Sequence, residues 1–396
     1  MYEILQVKEV KDFRCLGGEC KDTCCHSWEI NIDKDTYKKY VNLNKSYAEN
    51  LTILNSNDDY KYSKIKLNKN GFCPFFNKEK LCDIHKEYGE DMLSYTCKIY
   101  PQKIDVNMGR IEKSYSLSCP AVLDILFRSQ EKLSFDLDLC DSKNIPLTGN
   151  KDNIKIEGLT NEGCFVLRSL AIEIIQDRDL CIKDRIYTLG QLCYIIQNLI
   201  DNNFSATEIF IYLNELEGNY KKEEALRNIK ASNIIDENKE GLVERLLQLV
   251  KDVMLDGKVQ NKINYKTKVT DVLEKDFTKL EIKEISSSKN NVANFLRENE
   301  YILEHYLVYK IFSDVFPKEY TRLDSAFEGL LSKISILLIF LRIMNAKKGS
   351  IDLEEIKNSV YFYERQVEHS TVKKLILGNI IKTLNCDWGN IIELIY

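Results

Sequence analysis

Cysteine is the residue type with the clearest chemical potential in this chain, because its copies cluster near the start. The chain of 396 residues contains thirteen cysteines, and residues 15–30, CLGGECKDTCCHSWEI, hold four of them within eleven residues. Eight fall within the first 119 residues: Cys15, Cys20, Cys24, Cys25, Cys73, Cys82, Cys97 and Cys119. Turn-forming residues stand near several of them, at Gly17, Gly18, Pro74 and Pro120. Clustered thiols with a constrained backbone beside them are typical of metal ligands.

Three kinds of site are compatible with this cluster. Disulfides need an oxidising compartment, whereas the first fourteen residues carry charges where a signal peptide needs an unbroken apolar run. We therefore expect a cytoplasmic protein with reduced thiols. Zinc takes four thiolate or imidazole ligands, so the eight cysteines with His26 and His85 would suffice for up to two zinc sites. An iron–sulfur cluster also takes mainly thiolates, and the spacing alone leaves both metals open.

The spacing excludes one motif and restricts the adjacent pair. Radical enzymes use C-x3-C-x2-C, but the position that would complete this motif after Cys20 and Cys24 is Ser27. Because neighbouring side chains point apart, we expect at most one of Cys24 and Cys25 to face a given metal. The remaining cysteines are scattered and are predicted to be small buried side chains. These are Cys140, Cys164, Cys181, Cys193 and Cys386.

Composition and motifs exclude several other functions. Hydrophobic residues make up 44% and charged residues 30%, which is ordinary for a globular protein. The net charge of −5 argues against nucleic acid as a partner. The chain has no G-x-G-x-x-G, G-x-x-x-x-G-K-[ST], H-E-x-x-H or G-x-S-x-G motif. The most apolar stretch, residues 334–344, is too short for a bilayer and contains Arg342, so it is predicted to be a buried helix rather than a membrane segment.

The chain divides by pattern into a short cysteine-rich part and a long helical part. The first part should combine short strands, loops and short helices, with a helix beginning near Asp33 or Asp35 and a helical stretch over 83–96. Beyond it, apolar residues recur at helical spacing in 164–176, 189–200, 242–255, 292–312 and 329–345. The predicted fold class is mainly α: a small cysteine-rich metal-binding domain of α+β or irregular structure at 1–130, followed by an α-helical domain at 131–396.

Together these segments resemble one known family. CLGGECKDTCCHSWEINIDKDTYKKY, CPFFNKEKLCDIHKEYGEDMLSYTCKIYPQK and SLSCPAV closely resemble the flagellin lysine-N-methylase family, and the N-terminal part resembles a broader zinc- or iron-chelating domain. Residues 297–317, RENEYILEHYLVYKIFSDVFP, resemble the helical C-terminal region of that family. There are two departures. Gln102 follows Tyr100-Pro101 where the family tends to have arginine, and the first cysteine spacing is C-x4-C rather than the C-x3-C of the broader domain.

The resemblance implies an enzyme that transfers a methyl group from S-adenosylmethionine to lysine side chains of flagellin. It also implies a [4Fe–4S] cluster and makes all eight clustered cysteines candidate ligands. With no glycine-rich fingerprint in the chain, we expect the methyl donor to bind at an open iron position. Flagellin would be the protein partner of a monomeric enzyme.

Methylation of an amine needs a group that deprotonates or orients the lysine. The candidates near the cysteines are Glu90, Asp91, Tyr95 and Tyr100. A different class of function stays open beside the enzyme. In that alternative the cysteines form a zinc-stabilised protein-interaction module without catalysis, in which the metal folds the N-terminal domain.

Overall fold

The computed structural model describes residues 2–26, 28–140, 156–220, 241–255, 285, 288–368, 380–384 and 388–392. Over these ranges the architecture is mainly helical, with a small α/β region at the N-terminus, as predicted. Among the described helices, none combines the length and the apolar character needed to cross a membrane.

The strands of the described residues form two sheets. They are β1 (Tyr2–Val7), β2 (Asn31–Ile32), β3 (Leu51–Ile53), β4 (Ser63–Ile65), β5 (Gln102–Asn107), β6 (Arg110–Tyr115) and β7 (Phe135–Cys140). The larger sheet has the order β5-β6-β1-β7, and the smaller has the order β2-β4-β3. β1 runs parallel to β6, with Ile4 opposite Ile111. Met108 and Gly109 join β5 to β6 and both have positive φ, as a two-residue hairpin turn favours.

The helices are numbered in chain order. They are α1 (Lys34–Leu43), α2 (Lys45–Glu49), α3 (Asp83–Tyr88), α4 (Tyr95–Ile99), α5 (Pro120–Leu126), α6 (Asn161–Ile175), α7 (Ile182–Asp201), α8 (Ala206–Leu216), α9 (Leu242–Leu255), α10 (Lys289–Glu298), α11 (Tyr301–Ser313), α12 (Leu323–Lys348), α13 (Leu353–Glu368), α14 (Ile380–Leu384) and α15 (Trp388–Ile392). Each predicted helical stretch beyond residue 160 is found. The stretch 292–312 is divided into α10 and α11 at Asn299.

Local capping explains where the first helices begin and end. Asp33 is the N-cap of α1, as predicted, and its carboxylate accepts a hydrogen bond from the Thr36 amide at 2.9 Å. The stretch 83–96 is not one helix. It contains α3, a 3-10 turn and the start of α4, because Gly89 adopts a φ of 80° and ends α3. Ser94 then caps α4 by accepting from the Cys97 amide.

Two separate hydrophobic cores organise the described residues. The small core lies around β2, β3, β4, α1 and α3, and its buried members are Ile30, Ile32, Tyr40, Leu51, Ile65, Cys73, Phe75 and Ile84. The large core runs from the larger sheet through α5 and the later helices, with members such as Val7, Leu170, Leu307 and Leu337. The apolar stretch 334–344 lies within α12 and is buried in the large core, which confirms the prediction of a buried helix.

Polar contacts attach the larger sheet to the helices. Arg168 on α6 forms an ion pair with Glu112 on β6, and both side chains are almost completely buried. The hydroxyl of Tyr309 on α11 accepts from the Tyr115 amide and donates to the Tyr115 carbonyl, each at 2.7 Å. The larger sheet is therefore part of the helical body, whereas the small core stands apart from it.

Candidate functional site

A cavity lies between the two cores. Its wall includes Cys25 and Cys82, which pack on the small core, and Phe13 and Ala121, which belong to the large core. The cavity has a volume of about 160 Å³ and is open to solvent at its mouth. Six of the eight predicted metal ligands line it: Cys15, Cys20, Cys24, Cys25, Cys82 and Cys119. The other two, Cys73 and Cys97, belong to the small core.

Two glycines shape the segment between the first two cysteines. Gly17 has a φ of 55°, a left-handed conformation that glycine adopts without steric cost. A Cβ at Gly18 would lie 3.3 Å from the carbonyl oxygen of Glu79 and 3.7 Å from Leu81 Cδ2. Glycine therefore lets this segment pass close to the turn that precedes α3, and so brings cysteines from two parts of the chain to one cavity.

Two of the cavity cysteines stand at helix starts. Cys82 is the N-cap of α3, and Cys119 is the N-cap of α5, where Pro120 takes the first helical position. Burial raises the pKa of the Cys119 thiol to about 12, although the amides of Ala121 and Val122 act in the opposite direction. The Cys-Pro pair at 119–120 is thus a helix start that holds a protonated thiol at the cavity wall.

The adjacent pair Cys24–Cys25 sits on a loop held by its neighbours. The Thr23 hydroxyl accepts from the Cys25 amide at 3.0 Å, and the Cys25 carbonyl accepts from the Cys73 amide at 2.7 Å. The Trp28 indole donates to the Cys24 carbonyl. These contacts fix the loop with both cysteines at the cavity wall.

The thiols of this pair differ in acidity. A hydrogen bond from the Cys25 thiol, assisted by the charge of Arg365, lowers the pKa of Cys24 to about 7. The same hydrogen bond, together with burial, raises the pKa of Cys25. Burial likewise raises the pKa of Cys97 to about 12. Of these three thiols, Cys24 is therefore the one that ionises near neutral pH.

A cation from the far end of the chain completes the wall. Arg365 on α13 lines the cavity with Asp22 and pairs with its carboxylate at 3.1 Å. The Tyr361 hydroxyl donates to the same carboxylate. Sequence reasoning missed all three residues. Asp22 could have been noticed from its position beside the cysteines, but no sequence signal links Arg365 to Thr23, 342 residues away, whose carbonyl it contacts.

The residues predicted for catalysis lie in different places. Tyr100 lines the cavity, and its buried hydroxyl donates to the Ser118 carbonyl at 2.9 Å. Burial raises the pKa of Tyr100 well above its ordinary value, so the hydroxyl stays protonated. The ring centroids of Tyr95 and Tyr60 lie 5.0 Å apart. Glu90 is exposed on a 3-10 turn. Neither contributes to the cavity wall, and their catalytic role stays a prediction.

The two histidines near the cysteines, His85 and His26, also lie in different places. His85 lines the cavity. His26 is buried against Phe72, with ring centroids 4.0 Å apart, and its Nε2 lies 3.1 Å from the Asn70 carbonyl oxygen. Only the first of them is thus placed beside the cavity thiols.

Three of the five scattered cysteines have a side chain that the structure describes. Cys164 and Cys193 are buried in the large core, as predicted. The prediction is wrong for Cys181, which is exposed at the N-cap of α7, where its thiol donates to Asp184 at 3.2 Å. Cys140 lies on β7, and Cys386 lies outside the described residues.

The cavity does not present a ready site for a single ion. Within the ranges that the structure describes, no three His, Cys, Asp or Glu side chains are placed as ligands of one metal. The eight clustered cysteines are free thiols. The wall therefore brings free thiols from separate parts of the chain to one cavity.

Comparison with known proteins identifies the family. The model of the FliB lysine N-methylase C-terminal domain matches residues 168–393, more than half of the chain. The chain belongs to the FliB lysine N-methylase family. This confirms the predicted family, and the predicted enzyme class of protein-lysine N-methyltransferase is that of the family.

Individual relatives of this FliB-family chain match it in part. The flagellar biosynthetic protein FliU of Salmonella muenchen is 30% identical over 131 residues, which are 32% of this chain and 77% of FliU. Lysine-N-methylases of Salmonella choleraesuis and Salmonella typhimurium are each 31% identical over 130 residues. Those residues are 32% of this chain and 32% of each relative, so the match spans about a third of the two lysine-N-methylases. No solved structure matches the chain.

The family model covers only some of the residues that form the site. The FliB C-terminal domain includes Tyr361 and Arg365, whereas every cavity cysteine precedes its first residue. The site is therefore shared between the family's helical domain and the cysteine-bearing part before it.

Proposed function

We propose that this FliB-family chain methylates lysine side chains of flagellin with S-adenosylmethionine as the methyl donor. We further propose that its cysteine cavity binds an iron–sulfur cluster, of the [4Fe–4S] type, close to the reacting groups. The observation that carries the proposal is the set of six free thiols around one cavity, against the helical domain of a lysine N-methylase family.

The thiol arrangement fits a cluster better than a single zinc ion. Zinc needs four ligands at about 2.0–2.3 Å from one point, and the described side chains offer no such group even of three. Cysteine thiolates bind a cluster through several iron atoms, so these ligands surround a volume. Six cysteines would be available to hold it: Cys15, Cys20, Cys24, Cys25, Cys82 and Cys119. Cys73 and Cys97 stay predicted ligands from the small core.

The cavity is open to solvent at its mouth, so a methyl donor would reach a metal held by the wall from that side. When bound, an iron atom with an open coordination position would supply an attachment point for the amino and carboxylate groups of the methyl donor. Such an attachment would replace the glycine-rich fingerprint that the sequence lacks.

Methyl transfer needs a neutral lysine nitrogen on the open side of this cavity. The nitrogen lone pair bonds to the methyl carbon, the electron pair of the carbon–sulfur bond stays with sulfur, and the nitrogen then releases a proton. Asp22 on the wall is already paired with Arg365, so its charge is compensated within the protein. Tyr100 keeps its proton and donates a hydrogen bond to the Ser118 carbonyl, so it shapes the cavity wall and does not act as the base. Phe13 and Leu16 give the wall an apolar surface that limits water.

The proposed substrate draws on the names of the relatives. One is named a flagellar biosynthetic protein, and two are named lysine-N-methylases. A methylase that modifies flagellin would connect these two descriptions.

The first experiment measures iron, sulfide and zinc in the full chain purified without oxygen. We expect about four iron and four sulfide per chain, with visible absorption from the cluster. Zinc without sulfide would contradict the cluster and favour the zinc-stabilised interaction module instead.

Activity is tested separately with flagellin and S-adenosylmethionine labelled in its methyl group. Mass spectrometry should locate added methyl groups on flagellin lysines. Unmodified flagellin in the presence of cluster-loaded protein would contradict the substrate.

Two matched variants test whether the cavity cysteines bind the metal. Replacing Cys20 and Cys24 together with alanine should remove bound iron. Cys193→Ala should retain it, because Cys193 is buried on α7 and is not part of the cavity wall. Equal iron content in the two proteins would place the cluster elsewhere.

A further inference from the structure

Arg365 reaches from α13 to the loop that carries Cys24 and Cys25. Its Nη2 donates to the Thr23 carbonyl at 2.8 Å and also to the His26 carbonyl. These two carbonyl groups stand directly before and directly after the cysteine pair. One side chain therefore holds both ends of the loop.

The other side of the guanidinium is fixed as well. Its Nη1 donates to Asp22 Oδ2 at 3.1 Å and to the Tyr361 hydroxyl. The Tyr361 ring centroid lies 5.5 Å from Arg365 Cζ. A charge that is only 5% exposed needs such partners. The planar fork of arginine serves four acceptors in fixed directions, which the single nitrogen of lysine does not match.

A second cation on the same helix provides a comparison. Lys357 pairs with Asp124 on α5 at 2.6 Å, so it also joins α13 to the N-terminal part of the chain. The carboxylates with which it pairs, Asp124 and Glu354, lie outside the cysteine loop. Docking of α13 and support of the loop can therefore be separated by mutation.

We propose that Arg365 is a positioning residue that sets the conformation of the Cys24–Cys25 loop. The C-terminal domain of the family thereby assembles a site whose thiols all come from the N-terminal part. The statement about the loop stands on the contacts described above, and its consequence for cluster binding rests on the proposed function.

Hydrogen–deuterium exchange of the full-length chain tests the loop directly. The readout is the exchange of peptides that contain the Cys25 and Cys73 amides, which are bonded to Thr23 Oγ1 and to the Cys25 carbonyl. We expect Arg365→Lys and Arg365→Met to speed this exchange by about tenfold, because the loss of one charge-assisted hydrogen bond shifts a local opening equilibrium by that order. Exchange in α7 should stay unchanged.

Two comparisons decide the outcome. Lys357→Met should leave exchange in the cysteine loop as in the wild type. Arg365→Lys keeps the positive charge, so wild-type protection of the loop in this variant would overturn the proposal. An equal increase in α7 would also overturn it, because Arg365 would then act on general stability.

Iron and sulfide content separates this inference from the proposed function. Arg365→Lys should bind less iron and sulfide than the wild type, and Lys357→Met should bind the same amount. Full metal content with a protected loop in Arg365→Lys would refute the positioning role alone. A wild-type protein that binds no iron, combined with a loop that opens in Arg365→Lys, would refute the proposed function and leave the positioning role in place.

Discussion

The small core and the large core achieve stability by different means. The small core has strands of two or three residues and eight buried side chains in the described part of the chain. The large core contains long helices, among them the 26 residues of α12, of which most are buried. Because the fraction of surface that folding buries rises with size, a region as limited as the small core needs support beyond apolar contacts.

The polar groups of the two cores differ in the same sense. The large core contains a buried ion pair, that of Arg168 with Glu112. The small core contains the thiols of Cys73 and Cys97, and burial raises the pKa of each above the ordinary value. The large core thus supplies both partners of its ion pair, whereas the loop of Cys24 and Cys25 beside the small core is held by Arg365 from the helical domain.

The largest effect is expected from breaking the ion pair of the large core. Arg168→Met should lower the free energy of unfolding by about 3–5 kcal/mol, because it leaves the Glu112 carboxylate buried without its cation. Denaturant unfolding measures the change. The double variant Arg168→Met with Glu112→Leu should recover most of the loss, and failure to recover would mean that the pair is not the cause.

A matched truncation in each core tests whether the two unfold separately. Leu170 and Ile32 are both fully buried, so Leu170→Ala and Ile32→Ala should each cost about 2–5 kcal/mol within their own core. Hydrogen exchange should rise across the helices in the first variant and only around residues 28–97 in the second. The same pattern in both variants would mean that the cores unfold as one unit.

Removing a cap should have a smaller effect, confined to the small core. The Asp33 carboxylate accepts from the Thr36 and Tyr95 amides, each at 2.9 Å, and so joins α1 to α4. Asp33→Ala should therefore cost about 1–2 kcal/mol. Exchange of the α1 amides is the measurement, and unchanged exchange would remove Asp33 from the contacts that hold this region.

The same carboxyl predicts a dependence on pH. Burial acts to raise the pKa of Asp33, but the amide donors of Tyr95 and Thr36 outweigh it, and the pKa lies below its ordinary value. A group with a lowered pKa in the folded state contributes stability above its unfolded pKa of about 3.9 and loses it as pH falls through the folded value. Protection of α1 should thus decline in acid more in the wild type than in Asp33→Asn. Parallel declines in the two proteins would contradict this assignment.

The smallest effect is expected at the surface between the two parts. Glu354 on α13 pairs with Lys21, and the two side chains are 45% and 60% exposed. Glu354→Gln should change the free energy of unfolding by less than about 1 kcal/mol, as is usual for exposed pairs. A larger loss in denaturant unfolding would show that docking of α13 depends on this contact.

Patterns within a few residues were sufficient to predict much of the fold. The helical spacing of apolar residues predicted α6, α7 and α9, and the capping preference of aspartate predicted the start of α1 near Asp33 or Asp35, of which Asp33 is the cap. Such patterns are readable because periodicity and caps depend on neighbours along the chain. The structure differs from the predicted helical stretch over 83–96 at Gly89, because this glycine takes the positive φ that ends α3.

The sequence by itself thus determined the helical class, the candidate thiols and the family. Only the tertiary structure decided that six of the eight clustered cysteines share a cavity, that His85 joins them while His26 does not, and that Arg365 holds the Cys24–Cys25 loop. The physical reason is that these contacts depend on how α13 and the large core pack against the N-terminal part. No local spacing encodes a hydrogen bond between residues 342 positions apart.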